Sequence, residues 1–121
     1  MMIITPVGVV HDTTELRKII ADNPDLPIAV MVGENAVSDE YNYTYCTDLR
    51  CYVGEVLDCT LPFGEGHLYE DRIEFQEDLE NYLCDITVHD YCSNEFDQLV
   101  QARLAEYEPY WKKVIIVRVD N

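Results

Sequence analysis

The distribution of charge is the feature of this sequence that most constrains how the chain folds. Between residues 19 and 97 there are nineteen acidic side chains and only two basic ones, whereas the two ends together hold five acids and six bases. The formal net charge of −16 over 121 residues is about twice the upper end of the roughly 2–8 charges that a small domain needs for solubility. Because self-repulsion opposes a compact state, we interpret the acidic middle as one directed surface rather than as scattered charge. Halophilic adaptation is the alternative, although it tends to make a chain acidic throughout.

The hydrophobic content is nevertheless high enough for a folded core. Hydrophobic residues make up 48 % of the chain, enough for one core, and a length of 121 residues predicts one domain spanning residues 1–121. The apolar segment 1–10 is interrupted by Pro6 and lacks a basic n-region, so we predict neither a signal peptide nor a membrane helix. We therefore expect a cytoplasmic protein whose five cysteines are reduced.

A capping pattern and an apolar run predict the first helix and the first strand. Asp12 and Glu15 have the spacing of a capping box and predict a helix over about residues 13–22. The apolar run 28–32 predicts a buried strand.

The middle of the chain predicts a hairpin. Tyr41, Tyr43 and Tyr45 alternate with polar residues in the manner of a half-buried strand. Residues 47–49 can turn the chain, and residues 52–57 then form the second strand.

Two further helices and a closing strand complete the prediction. The helices are expected over about residues 76–86 and after an N-cap at Ser93, with residues 72–75 forming a short strand or an approach to the first of them. Residues 113–119 are apolar on both faces and predict a central strand. The apolar residues that define the helices are Leu79, Tyr82, Leu83 and Ile86 in the first, and Phe96, Leu99, Val100, Leu104 and Tyr107 in the second. The predicted fold is α+β, with a four- or five-stranded, mostly antiparallel sheet and about three helices.

Patterns of catalytic sites are absent from the sequence. There is no P-loop and no G-x-G-x-x-G segment, and the carboxylates are too numerous to single out an acid–base pair. Cys84 or Cys92 beside His89 is the candidate nucleophile, but a reactive thiolate needs an electropositive setting and this stretch is strongly negative. We therefore predict a non-catalytic protein and rank a cysteine-based enzyme last.

The cysteines also suggest a metal site. Cys84, His89 and Cys92 place three zinc-type ligands at the junction of two predicted helices, and Cys59 is a candidate fourth ligand. A structural Zn²⁺ is one interpretation of these thiols. The others are that the thiols pack in the core or that they have a redox role.

The acidic stretch from residue 65 to residue 97 contains eleven acids and one base. Soluble surfaces normally intersperse both signs, so we predict that this stretch binds a basic partner; a merely solvated helix face is the alternative. The same charge excludes direct binding to nucleic acid, which requires Lys and Arg. The predicted partner-binding residues are Asp39, Glu40, Glu65, Glu70, Asp71, Glu74, Glu77, Asp78 and Glu80.

One segment carries a resemblance to a known family. The segment 12–32, read with the acidic, Tyr-containing segment 39–43 and the final strand 113–117, resembles small acidic proteins encoded by phages and integrated elements of Firmicutes. The distinctive part of the match is the sequence Asn-Pro-Asp-Leu-Pro-Ile at residues 23–28. In that family a short helix leads into this motif, a Tyr-rich hairpin follows, and a strand ends the chain. The cysteines of this chain depart from the family pattern, so the resemblance implies no metal site.

The resemblance supplies a candidate partner and compartment. Some small acidic proteins from such elements are anti-CRISPRs that inhibit type II Cas9 effectors, and Cas9 holds its guide–target heteroduplex in a positively charged channel. The resemblance thus implies an inhibitor in the host bacterial cytoplasm that blocks guide or target loading. The runner-up is a zinc-stabilised accessory protein that binds another basic DNA-binding protein.

Overall fold

The computed structural model describes residues 3–4, 8–33, 45–46, 48–87 and 93–120. These residues form an α+β fold with three α-helices and three strands, and a short 3₁₀ turn over Glu108–Tyr110 precedes the last strand. The elements in chain order are α1 (Thr14–Asp22), β1 (Ile28–Val32), β2 (Asp48–Leu57), α2 (Arg72–Ile86), α3 (Asn94–Tyr107) and β3 (Trp111–Asp120).

The sheet is smaller than predicted and its pairing is mixed. Within the described part of the chain its strand order is β1-β3-β2, and β1 runs parallel to β3 with Ile28 opposite Ile115 and Val32 opposite Val119. The prediction of four or five mostly antiparallel strands was therefore wrong.

Two local assignments account for this error. Asp48 and Leu49, which were expected to turn the chain, instead begin the ten-residue strand β2, and residues 72–75 form the first turn of α2 rather than a strand. Tyr41 and Tyr43 of the predicted first hairpin strand lie outside the described residues, and Tyr45 is not in a strand.

The prediction that the last strand is central and covered on both faces was confirmed. β3 lies between the other two strands, and its residues from Val114 to Val117 are all buried, with Ile116 fully inaccessible. Successive strand residues point to opposite faces, so four consecutive buried residues mean that both faces are covered.

The chain divides into two compact units, which we describe separately. Unit 1 comprises Met1–Gly54 and Lys113–Asn121, and unit 2 comprises Glu55–Lys112. Unit 1 contains α1, β1 and most of β2 and β3. In α1 the carboxylate of Asp12 accepts a hydrogen bond from the Thr14 amide at 3.1 Å, but the N-cap residue is Thr13 and none of the helix's residues is buried.

Unit 2 has the apolar core that its helical patterns predict. Phe96 and Val100 of α3 are buried in this core, and the other predicted α3 residues pack against it. In α2 the prediction for Ile86 was wrong, because this side chain is 60 % exposed. The buried residues of α2 are Phe75, Leu79 and Leu83. The buried cluster consists of Leu57, Tyr69, Phe75, Leu79, Leu83, Phe96 and Val100.

Side-chain caps fix where the helices of unit 2 begin. The hydroxyl of Ser93 accepts a hydrogen bond from the Phe96 amide at 3.1 Å, which confirms the predicted cap of α3. The carboxylate of Asp71 accepts one from the Ile73 amide at 2.9 Å, so α2 begins at Arg72, earlier than predicted. Each such cap stabilises a helix by about 1 kcal/mol.

Candidate partner-binding surface

The negative charge of the chain is concentrated in unit 2. This unit contains fifteen acidic and three basic residues, a formal net charge of −12, whereas unit 1 contains nine acidic and five basic residues. The boundary of the compact unit therefore separates a strongly acidic part from a weakly acidic part.

The first of the three bases in unit 2 binds two carboxylates at once. The guanidinium of Arg72 lies 3.2 Å from Glu55 and 2.7 Å from Glu108, and it stacks over the ring of Trp111 at 4.6 Å. The hydrogen bonds to Glu108 and then Glu55 raise the pKa of Arg72. Arg72 thus joins the end of β2, the start of α2 and the turn before β3.

The other two bases are also used within unit 2. The Lys112 ammonium lies 2.8 Å from Asp58, and Arg103 lies 3.0 Å from Glu106, one helical turn further along α3. The four carboxylates that these three bases hold, Glu55, Asp58, Glu106 and Glu108, lie at the end of β2, at the end of α3 and just before β3. None of them belongs to the predicted partner-binding set.

The outer face of α2 keeps its negative charge. Glu74, Glu77 and Asp85 are exposed and lie within about 80° of one another around the helix axis, roughly opposite the buried Leu79. They span about 16 Å along the helix. We call these three residues the acidic ridge. Glu77 and Asp85 form no ion pair with any residue that the structure describes.

Repulsion between the like charges of the acidic ridge destabilises α2. Like charges three residues apart destabilise a helix by about 0.2–0.5 kcal/mol, and only carboxylates in the first turn gain from the helix dipole. Glu74 is in that first turn and also lies 3.1 Å from the imidazole of His67. Glu77 and Asp85 have neither form of compensation.

Three of the predicted contact residues instead support the local structure. Asp71 caps α2, and Glu80 accepts a hydrogen bond from the Gln76 amide side chain at 3.0 Å. Asp78 accepts a 2.5 Å hydrogen bond from the hydroxyl of Tyr69. These acids are therefore less available to a partner than their place in the sequence suggests.

The Tyr69–Asp78 pair anchors the loop that precedes α2. Tyr69 is only 1 % exposed, and its ring meets that of Phe75 edge to face at 5.3 Å. Burial, followed by the hydrogen bond to Asp78, raises the pKa of Tyr69 well above its usual value. Gly64 in the same loop has a φ of +63°, and a Cβ there would lie 2.8 Å from the Tyr69 hydroxyl.

Of the remaining four predicted residues, the structure describes two. Glu65 is exposed in the loop before α2, and Glu70 is half-buried immediately before its cap. Asp39 and Glu40 lie outside the described residues. The sequence prediction missed Asp85, although its spacing of eight residues from Glu77 is the signal that would have placed it on the same helix face.

The predicted zinc ligands are described only in part. Cys59 and Cys84 are half-buried and pack against the apolar core of unit 2, whereas His89 and Cys92 lie outside the described residues. Burial, and then the neighbouring Asp58, raises the pKa of the Cys59 thiol, which opposes the thiolate form that zinc requires. Within the described ranges no group of three His, Cys, Asp or Glu side chains converges on a metal site. The zinc site itself stays a prediction.

No family model, curated protein or solved structure matches this chain. In the part of the chain that the structure describes, no helix has the length and apolar character needed to cross a membrane.

Proposed function

We propose that this protein is a non-catalytic inhibitor that binds a basic, nucleic-acid-handling protein through the acidic ridge of α2. The leading candidate partner is Cas9, and the site of action is the host bacterial cytoplasm. The resemblance of residues 23–28 to small acidic phage proteins supports this choice of partner.

The segregation of charge within unit 2 is the observation that carries the proposal. All three bases of the unit are held by Glu55, Asp58, Glu106 and Glu108, so the carboxylates of the ridge face solvent without a lysine or arginine to neutralise them. A surface kept for solubility alone would intersperse both signs. A row of carboxylates about 16 Å long is suited to contact a row of lysines and arginines on a partner.

The expected mechanism is competition for a nucleic-acid channel. Cas9 recognises the guide–target heteroduplex through its backbone geometry, using a positively charged channel. The acidic ridge bound in or beside that channel would neutralise residues that otherwise contact phosphates. This action requires no chemical step, so inhibition should be stoichiometric and should not increase with incubation time once binding has reached equilibrium.

A Cas9 cleavage assay with varied order of addition tests this proposal. The protein is added to Cas9 before the guide RNA, after the guide, or after the target DNA, at several ratios of protein to Cas9. We expect inhibition when the protein is added before the blocked step and little inhibition when it is added afterwards. An absence of both binding and inhibition with several type II orthologues would overturn the choice of Cas9.

A matched pair of single variants connects inhibition to the ridge. Glu77→Lys reverses a ridge charge, and Glu15→Lys makes the same charge change at an exposed position of α1. We expect Glu77→Lys to weaken inhibition several-fold, because one exposed ion pair contributes about 0.2–1 kcal/mol and the reversal adds repulsion. Glu15→Lys should leave inhibition unchanged. Equal effects of the two variants would show that total charge, rather than the ridge, determines binding.

A further inference from the structure

Among the residues that the structure describes, β1 is an edge strand of the sheet, and it carries none of the charged side chains that usually prevent edge strands from associating. Its five residues, Ile28–Val32, are all apolar, whereas natural edge strands are commonly protected by charged residues, bulges or very short length. The side chains of Ile28, Val30 and Val32 point to one face and are 51 %, 61 % and 56 % exposed. On the neighbouring strand β3 the paired residues Ile115 and Val117 are buried, so among the described residues this face of the sheet is covered at β3 and exposed at β1.

The backbone of β1 shows which of its groups face outward. The carbonyl of Pro27 accepts a hydrogen bond from the Ile115 amide, and the Gly33 amide donates one to the Val119 carbonyl, both at 2.9 Å. Strand residues alternate in the direction of their backbone groups, so residues 27, 29, 31 and 33 face β3. The N–H and C=O groups of residues 28, 30 and 32 therefore face away from it, and within the described chain β1 pairs with β3 alone.

We propose that β1 pairs in antiparallel orientation with β1 of a second copy of this chain, about a two-fold axis at Val30. This register places Val30 opposite Val30 and Ile28 opposite Val32 of the second copy. The three residues with outward backbone groups then form hydrogen-bonded pairs, which gives about six new hydrogen bonds. The same three residues bring β-branched side chains side by side, a favourable cross-strand combination.

The sequence of β1 favours a second copy over an unrelated partner. A two-fold interface must be self-complementary, and Ile-Ala-Val-Met-Val is nearly symmetric about Val30, with aliphatic residues at both ends. Unit 1 also has a much smaller net charge than unit 2, since its nine acidic and five basic residues give −4. The electrostatic opposition to self-association is therefore smallest in the unit that contains β1.

We expect the dimer to have low affinity and its affinity to increase with salt concentration. A five-residue strand pair buries less than the roughly 1,200–2,000 Å² of stable specific interfaces, so association should require high protein concentration. Two chains with a formal charge of −16 each repel one another, and salt screens that repulsion. Dimerisation should therefore strengthen as salt rises, whereas binding of the acidic ridge to a basic partner should weaken. Because the two salt dependences have opposite signs, either proposal can be refuted without refuting the other.

Amide hydrogen exchange at low and high protein concentration tests the pairing directly. We expect the amides of Ile28, Val30 and Val32 to exchange quickly in dilute solution and to become at least several-fold slower near 1 mM. The amides of Ala29 and Met31 face β3 and serve as internal controls that stay protected at both concentrations. Fast exchange at the three outward amides under both conditions would overturn the proposal.

Sedimentation equilibrium of two matched variants provides the second test. Val30→Lys places two lysines opposite each other across the two-fold axis and should abolish association, while this exposed position should still allow the monomer to fold. Ile73→Lys makes the same change at a side chain that is 71 % exposed on α2 and should associate like the wild type. A wild-type protein that stays monomeric at 1 mM and 0.5 M salt, or a Val30→Lys variant that dimerises equally well, would contradict the proposal.

Discussion

Removal of the Tyr69 hydroxyl tests whether Asp78 supports the fold rather than the partner-binding surface. In Tyr69→Phe the aromatic ring keeps its contact with Phe75, but Asp78 loses a 2.5 Å hydrogen bond. A hydrogen bond to a charged group contributes about 1.5–3 kcal/mol. Because Asp78 is only half-buried and water can partly replace the hydroxyl, we expect a loss near the lower end, about 1.5 kcal/mol.

The single tryptophan provides the assay. Trp111 lies 6.0 Å from Phe75 in unit 2, so its fluorescence should report urea unfolding of this unit. For a chain of this size the expected loss corresponds to a decrease in Tm of about 6 °C. Tyr110→Phe is the control, because Tyr110 is 49 % exposed and its hydroxyl is not part of this network; it should change stability by less than about 0.5 kcal/mol.

A double-mutant cycle separates the pair from its surroundings. In an Asp78→Asn background, Tyr69→Phe should cost about 1 kcal/mol less than in the wild type, because the charge-assisted hydrogen bond is already gone. If Tyr69→Phe and Tyr110→Phe have the same effect on stability in the wild-type background, Asp78 is solvated and the reasoning is refuted. Asp78 would then return to the set of carboxylates available to a partner.

Three further predictions concern the stability of unit 2. Gly64→Ala should destabilise it by more than about 1 kcal/mol, since it combines a φ of +63° with a contact to Tyr69, whereas Gly66→Ala has a φ of +78° but open space around its Cβ and should cost less in the same urea titration. Arg72→Lys keeps the charge but loses the planar group that binds both glutamates, so stability should fall by about 1 kcal/mol, measured by thermal unfolding; an unchanged Tm would show that the ion pairs contribute nothing. The folded-state pKa of Tyr69 is raised, so its contribution to stability is complete below pH ~10, the usual Tyr pKa, and is lost as pH rises above that value. Tyr69→Phe should reduce this alkaline loss, and an identical pH profile for the variant would contradict it.

The sequence was informative where local patterns determine structure. The helical spacing of apolar residues predicted α3 and its core residues, and Ser93 was confirmed as its cap. The two apolar faces of the last strand predicted its central position. Both signals depend on residues that are close together in the chain.

Predictions failed where structure depends on competition between neighbouring signals. Residues 72–75 were expected to form either a short strand or an approach to the next helix, and the strand alternative was wrong: the spacing of Asp71 and Glu74 is that of a capping box, and the cap starts α2 at Arg72. Asp48 was expected in a turn, yet it begins β2. Short segments of this kind are decided by the elements on either side rather than by their own composition.

The sequence could not show which acidic residues form contacts within the fold and which ones remain on the surface. The charge run does not indicate that Tyr69 hydrogen-bonds to Asp78 nine residues later. Nor does it indicate that Glu55 and Glu108, more than fifty residues apart in the chain, meet at one arginine. These contacts depend on tertiary packing, and they separate acids that support the fold from the ridge on α2, which stays exposed to solvent.

The most direct test of the central claim compares two variants of equal net charge. The first reverses the ridge with Glu74→Lys, Glu77→Lys and Asp85→Lys, and the second reverses three exposed acids of unit 1 with Glu15→Lys, Asp22→Lys and Asp25→Lys. Affinity for Cas9 is measured by titration calorimetry at low and high salt, with circular dichroism as the control for folding. We predict that the ridge variant binds about tenfold to a hundredfold more weakly, equivalent to about 1.4–2.8 kcal/mol, while the unit 1 variant binds like the wild type. Equal weakening of both folded variants would contradict a directed acidic surface and would leave only the total charge of the protein.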